Sequence, residues 1–246
     1  MNFSDATEKP IISLNNFSLS LDEKEMLKDI SLDIFPKEIV LLYGSRNSGK
    51  SCFLRSFVHL NEELHKKVNG LGDILYQGED VRKIDKTYIR SQIAYVDPSF
   101  VENMGFLTLQ ELFNLSLGIK IKEMNKEHYK IIDILNLSHI FSDLDNMKKY
   151  SDLKKWSIGE KISLLTFIAF SRKPKVFLFD SIFDHLDDFL LKEVKEILFS
   201  LKKDRTFVIS TRNLKLFSDI SQKVIYLKNG QVKFFGKIED FMSKTN

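Results

Sequence analysis

The sequence predicts an α/β chain: a layered core of strands and helices, joined to an antiparallel β subdomain, with a helical subdomain inserted into it. Three observations carry that expectation. The apolar runs EIVLLYG (38–44), VFLFD (176–180) and TFVIS (206–210) read as strands buried on both faces. IISLNNFSLSL and LKDISLDIF, between residues 11 and 35, alternate apolar and polar positions, as antiparallel strands with one wet face do. From about Thr87 to Lys155 apolar residues recur three and four apart, which is helical spacing.

The elements follow in order. EIVLLYG ends in a glycine, and Phe53, Leu54, Phe57 and Val58 then recur at helical spacing, giving strand, glycine-bearing loop and helix. LTLQELFNLSL and KEHYKIIDILNLSHI supply the helices of the insertion, and SIGEKISLLTFIAFSR (157–172) supplies a third that leads into VFLFD. KVIYLKNGQVKFFG reads as a hairpin about Asn229-Gly230, a favoured two-residue turn. No repeat or linker divides the chain. A single domain over 11–246 is expected, its core and β subdomain near 11–86 and 157–246 and its helical subdomain near 87–156.

Composition narrows the function classes. A chain of 246 residues, 43% apolar and 29% charged, has room for one core with a small subdomain and is not a disordered chain. Its longest apolar stretch, Leu164 to Phe170, is far below the roughly 18 residues of a membrane helix. Residues 1–10 (MNFSDATEKP) lack the features of a signal peptide, and one cysteine, Cys52, rules out an intrachain disulfide. Both point to the cytoplasm. The net charge of +3 comes with no basic block interleaved with aromatics, so nucleic acid is not an expected partner. The densest basic stretch, MKKYSDLKKW (147–156), reads as a solvated loop.

GSRNSGKS, comprising Gly44, Ser45, Arg46, Asn47, Ser48, Gly49, Lys50 and Ser51, matches GxxxxGK[ST] between a buried strand and a helix. Gly44 and Gly49 let main-chain amides turn towards a phosphate, and the helix start adds its positive end. Lys50 would reach the β and γ phosphates of ATP, and Ser51 would offer its hydroxyl to Mg²⁺. Cys52 follows the loop, either as a thiol activated by the helix start or, more simply, as a small residue filling space. Asp180, ending VFLFD, fits the metal-binding acid of a neighbouring strand, although a strand-end acid can also be a turn former or helix cap.

With these motifs in place, the chain resembles the ATP-binding subunit of an ABC transporter over residues 11–240. SIGE (157–160) lies at the position of that family's signature, with Ser157 placed 23 residues before Asp180. DHLD (184–187) resembles the loop that crosses to a partner subunit, with Asp187 as the crossing acid, and FVISTRN matches the switch segment. The resemblance implies ATP and Mg²⁺ as ligands, and a dimer whose sites pair one chain's phosphate loop with the other's Ser157, Gly159 and Asp187. It also implies transmembrane permease subunits as partners, on the inner face of the cell membrane. LRSFVHLNEELHKKVNGLGDILYQGEDV and the KFFGKIEDF ending are similar to the subunits of phosphate importers.

Several positions depart from the family's pattern. The catalytic glutamate after Asp180 is Ser181, and a hydroxyl is no general base near neutral pH. The switch histidine is Arg212, which stays charged and cannot shuttle protons. After the strand IAYV, the run IAYVDPSF places Asp97 or Pro98 at the expected glutamine, and Leu21 falls where an aromatic ring would stack on adenine. Trp156 and Ile158 replace the signature's usual leucine and first glycine. Asp184 is the nearby acid that could stand in as a base. The expectation is a subunit that binds ATP with impaired hydrolysis, in a heterodimer with an intact relative or as a slow homodimer. The alternative is a nucleotide-gated interaction module with no transport role.

Overall fold

In the structure of the chain, a computed structural model, residues 8–141 and 152–245 are described. The first part of MNFSDATEKP and residues 147–151 of the basic stretch lie outside them. The strands are β1 (Ile12–Leu21), β2 (Lys24–Ile34), β3 (Ile39–Tyr43), β4 (Val68–Tyr76), β5 (Glu79–Asp80), β6 (Ile93–Val96), β7 (Val176–Asp180), β8 (Thr206–Thr211), β9 (Lys223–Lys228) and β10 (Gln231–Lys237). The helices are α1 (Lys50–Ser56), α2 (Asn61–Leu64), α3 (Lys86–Gln92), α4 (Pro98–Asn103), α5 (Leu109–Leu117), α6 (Lys126–Ile134), α7 (Ser138–Phe141), α8 (Ile158–Ser171), α9 (Asp188–Leu201) and α10 (Ile238–Thr245).

Two sheets form. The first has the order β2-β1-β4-β5 with antiparallel neighbours. The second has the order β10-β9-β3-β8-β7-β6, parallel except at the β9/β10 hairpin, which turns at Asn229 and Gly230 as expected. Successive side chains of a strand point to opposite faces, and here the two faces feed two cores. Leu41, Phe177, Phe179, Phe207 and Ile209 join the helices on one side, while Val40, Leu42, Leu178 and Val208 meet α1 and the antiparallel sheet on the other. This double burial is why those strands read as unbroken apolar runs. Phe177 and Phe207 stack at 4.9 Å, and each such fully buried ring stabilises the fold by roughly 1.5–3 kcal/mol.

Two boundaries differ from the sequence reading. The helical subdomain is expected near 87–156, yet the IAYV strand inside those bounds, β6, joins the edge of the parallel sheet beside β7. Only after Asp97, which caps α4 with Pro98 at its first position, does the chain leave that sheet for helices. The first helix ends at Ser56 rather than running through Val58. Phe57 and Val58 donate to carbonyls three residues back, and the Ser56 hydroxyl and Asn61 amide both donate to the Cys52 carbonyl. His59, at φ 54, then turns the chain away. Both apolar residues stay buried all the same.

Candidate functional site

The phosphate loop fills the gap between β3 and α1, and a cleft of about 970 Å³ opens against it. Lys50 heads α1 and is only 7% exposed. Its ammonium donates at 2.8 Å to the carbonyls of both Gly44 and Ser45, which folds it back over its own loop. Burial lowers its pKa below the ordinary value, the charges of Asp180 and Asp184 offset this, and Arg212 adds to the lowering. The Ser48 hydroxyl is buried without a hydrogen-bond partner, and no side chain caps the start of α1. These are unmet donors around a concave surface that also holds the Ser51 hydroxyl. The donor set fits a polyphosphate with a hard cation.

The loop's glycines have a different reason from the one expected. A Cβ on Gly44 would lie 2.3 Å from the Leu227 carbonyl, and one on Gly49, at φ +105, would lie 2.9 Å from Leu27. The crowding comes from the protein beneath the loop. The Gly230 amide donates to the Ser48 carbonyl and the Gly230 carbonyl accepts from the Lys28 amide, so the β9/β10 turn braces the loop from behind.

Asp180 ends β7 and is 3% exposed, one layer behind the cleft lining. The Ser210 hydroxyl donates to its Oδ1 at 2.7 Å and the Tyr95 hydroxyl to its Oδ2 at 3.1 Å. Ser181 lines the cleft in a left-handed conformation, φ 53, with its amide donating to the Ser210 carbonyl and its hydroxyl 3.1 Å from that of Ser210. Asp184, the acid that could stand in as a base, is engaged by its neighbours. It accepts from the Thr211 hydroxyl at 2.5 Å and the Arg212 amide at 3.3 Å, and Arg212 Nε lies 3.5 Å from it. Arg212, 52% exposed on its side chain, reaches the cleft, as does Pro98 at the start of α4.

The two candidates for the glutamine position separate. Pro98 lines the cleft, while Asp97 turns inward as the cap of α4, accepting from the Ser99 amide and hydroxyl, from Tyr95 at 2.7 Å and from Arg55 at 3.0 Å. Burial alone would raise the Asp97 carboxyl; Ser99, Tyr95 and Arg55 together hold it below its ordinary value. Burial and the charges of Asp180 and Asp97 push the Tyr95 phenol far up, so it remains a neutral donor.

One further expectation is corrected, and one pair of alternatives is narrowed. Leu21 does not face the cleft: it is 3% exposed in the core beneath the antiparallel sheet, on the inward side of β1 with Leu19 and Phe17. The wall on that side is made by Lys24, Glu25, Met26 and Asn229. Cys52 lines the cleft, but burial raises its thiol above the ordinary value, so the helix start does not activate it.

Ser157, Gly159 and Asp187 gather around a second cleft of about 510 Å³. Ser157 caps α8 in a reciprocal box with Glu160: the Glu160 amide donates to the serine hydroxyl at 3.2 Å and the Ser157 amide donates to Glu160 Oε2 at 2.7 Å. Asp187 caps α9 through the Leu190 amide. Ile158 stands 60% exposed on the rim and Trp156 is buried. His185, which the sequence reading passed over, lines both clefts. Only its position inside DHLD could have singled it out.

Comparison with known proteins agrees with this architecture. Residues 27–183 match the family described as ABC transporter, and the chain belongs to that family. Within it, the chain is similar to the phosphate import ATP-binding protein PstB 2 of Lactobacillus acidophilus, 28% identical over 238 residues that cover 94% of this chain and 92% of the relative. Among solved structures it resembles a bacterial Atm1-family ABC exporter with ATP bound, at TM-score 0.79 and 19% identity, matching 97% of this chain and 40% of that one. It also resembles cbiO1 from Clostridium perfringens, part of the ABC transporter complex cbiONQ, at TM-score 0.73 and 19% identity, over 97% and 92% of the two chains. Among the described residues no helix is long and apolar enough to cross a membrane.

Proposed function

We propose that the chain is the ATP-binding subunit of an ABC transporter of the phosphate-import type, and that it binds Mg-ATP while hydrolysing it poorly. The observation that carries this reading is the contrast around one cleft: Lys50, Ser51 and the buried Ser48 hydroxyl on the binding side, with Asp180 one layer behind, and Ser181, Arg212 and Pro98 facing them. The loop amides with Ser45, Arg46, Asn47, Ser48 and Lys50 would hold the phosphates. Ser51 and Asp180 would hold Mg²⁺, the buried aspartate acting from one layer back. Bound Mg²⁺ supplies charge neutralisation at the phosphates.

At the positions where the resemblance implies glutamate, histidine and glutamine, Ser181, Arg212 and Pro98 supply no general base. Ser181 is engaged with Ser210, Asp184 with Thr211 and Arg212, and the Arg212 guanidinium carries only donors. General-base help is typically worth 10²- to 10⁴-fold in rate. In a dimer, the face carrying Ser157, Gly159 and Asp187 would complete the partner's site, and an intact relative as partner would keep one competent site. A heterodimer is therefore favoured. Coupling then runs to transmembrane permease subunits, which would hold the chain at the inner face of the membrane, and the single domain over 11–246 carries its helical subdomain from Pro98 onward.

The test is ATP turnover of the purified chain together with co-purification in mild detergent. Slow turnover and a polytopic partner are expected. Turnover equal to that of ordinary transport ATPases sinks the impaired-site reading, and soluble partners alone favour the interaction-module alternative.

A further inference from the structure

Behind the cleft lies a buried polar chain that the family resemblance did not anticipate. The Tyr95 hydroxyl stands between two carboxylates, 2.7 Å from Asp97 Oδ2 and 3.1 Å from Asp180 Oδ2. Arg55 Nε donates to the same hydroxyl at 3.0 Å, which uses its acceptor side. A phenol has one proton to give. At any moment Tyr95 therefore donates fully to one carboxylate, and the two aspartates compete for it.

The competition joins two different jobs. Asp180 is the buried acid beside the phosphate loop, its other oxygen held by Ser210. Asp97 caps α4, the first helix after the parallel sheet, and Arg55 on α1 balances its charge. Asp97 has other donors in Arg55 and Ser99, whereas Asp180 has only Ser210 besides Tyr95 among the described residues. Losing the phenol would thus cost Asp180 more of its support than Asp97. We propose that Tyr95 is a positioning residue for Asp180, and that it transmits the state of that carboxylate to the start of α4 through Asp97. The chain's link between cation site and helical region would then run through Asp180, Tyr95 and Asp97, with Pro98 taking no part. This rests on the reading of Asp180 as an acid that serves bound Mg²⁺.

The experiment compares ATP affinity by calorimetry with Mg²⁺ and with EDTA, and hydrogen exchange of residues 98–103 with and without Mg-ATP, on the full chain. In the wild type, Mg²⁺ should strengthen ATP binding, and Mg-ATP should change exchange over 98–103. Tyr95→Phe keeps the ring and removes only the hydroxyl. It should cut the Mg²⁺-dependent gain about tenfold, the size expected for one hydrogen bond to a charged group, leave affinity in EDTA within about twofold, and abolish the exchange response. Asp97→Asn, which keeps a capping oxygen but removes the carboxylate that Tyr95 and Arg55 address, spares Asp180 and should abolish the exchange response while the Mg²⁺ gain persists. The inference falls if the wild type shows no Mg²⁺ gain. It falls equally if Tyr95→Phe keeps the gain or loses affinity alike in Mg²⁺ and EDTA, or if exchange over 98–103 responds normally in both variants. A wild type that binds no ATP under either condition overturns the proposed function itself.

Discussion

One wall of the phosphate cleft is made largely of main chain and the other of side chains. On the first, carbonyls, amides and two crowded glycines set the shape from Gly44 to Gly49, and Lys50 is locked onto two of those carbonyls. On the second stand Pro98, Ser181 and Arg212, where the family resemblance implies glutamine, glutamate and histidine, together with His185. Binding that relies on backbone geometry survives changes in residue identity, whereas proton handling depends on one functional group at one position. The difference separates holding a nucleotide from consuming it.

The sharpest way to break that contrast is to restore a base. Ser181→Glu should raise ATP turnover by about 10²-fold, the low end of general-base effects. The low end is expected because position 181 has φ 53, a conformation a larger side chain adopts with strain. No gain in Ser181→Glu, and none on adding Arg212→His, would show that the second wall was not the limit. Next in size is Lys50→Ala, which should weaken Mg-ATP binding by about 10- to 100-fold, since hydrogen bonds to charged groups contribute roughly 1.5–3 kcal/mol. Unchanged affinity in calorimetry would remove the first wall from the argument.

Smaller effects concern the supports of each wall. Ser157→Ala removes the capping hydroxyl of α8 and should lower stability by about 1 kcal/mol in denaturant unfolding. A larger loss would mean the helix start carries more than its box with Glu160. The smallest effect is acidic. Asp97 is held below its ordinary value of 3.8, so its stabilisation is complete above that value and is lost as pH falls through the lower, folded value. Asp97→Asn should therefore flatten the acid limb of the stability profile below about pH 4. An acid limb identical to wild type would place the titration elsewhere.

How much of this was legible depended on sequence distance. The phosphate loop is eight consecutive residues, and its motif carries its geometry with it. The doubly buried strands were legible because both faces of each are covered, which leaves no polar alternation. Leu21 misled because a matched position says nothing about strand parity: β1 sends it inward with Leu19, and Met26 from β2 takes the place beside the cleft. The Arg55, Tyr95, Asp97 and Asp180 cluster was out of reach, since its members come from α1, β6, the loop after it and β7, brought together only by the order of strands in the sheet. Nor could the sequence say that Asp184 is already engaged by Thr211 and Arg212.

The turn at Asn229 and Gly230 has a practical side. A two-residue hairpin tip is ordinarily a tolerant place for an inserted tag, a fluorescent probe or new chain ends. Here the tip is fastened at both its amide and its carbonyl, to Ser48 on one side and Lys28 on the other. Anyone engineering a reporter into this protein should avoid it, because a graft there would be felt inside the nucleotide cradle. The exposed turn that ends α5 offers the safer attachment point, provided Gly118 itself is kept, since its φ of +68 suits glycine.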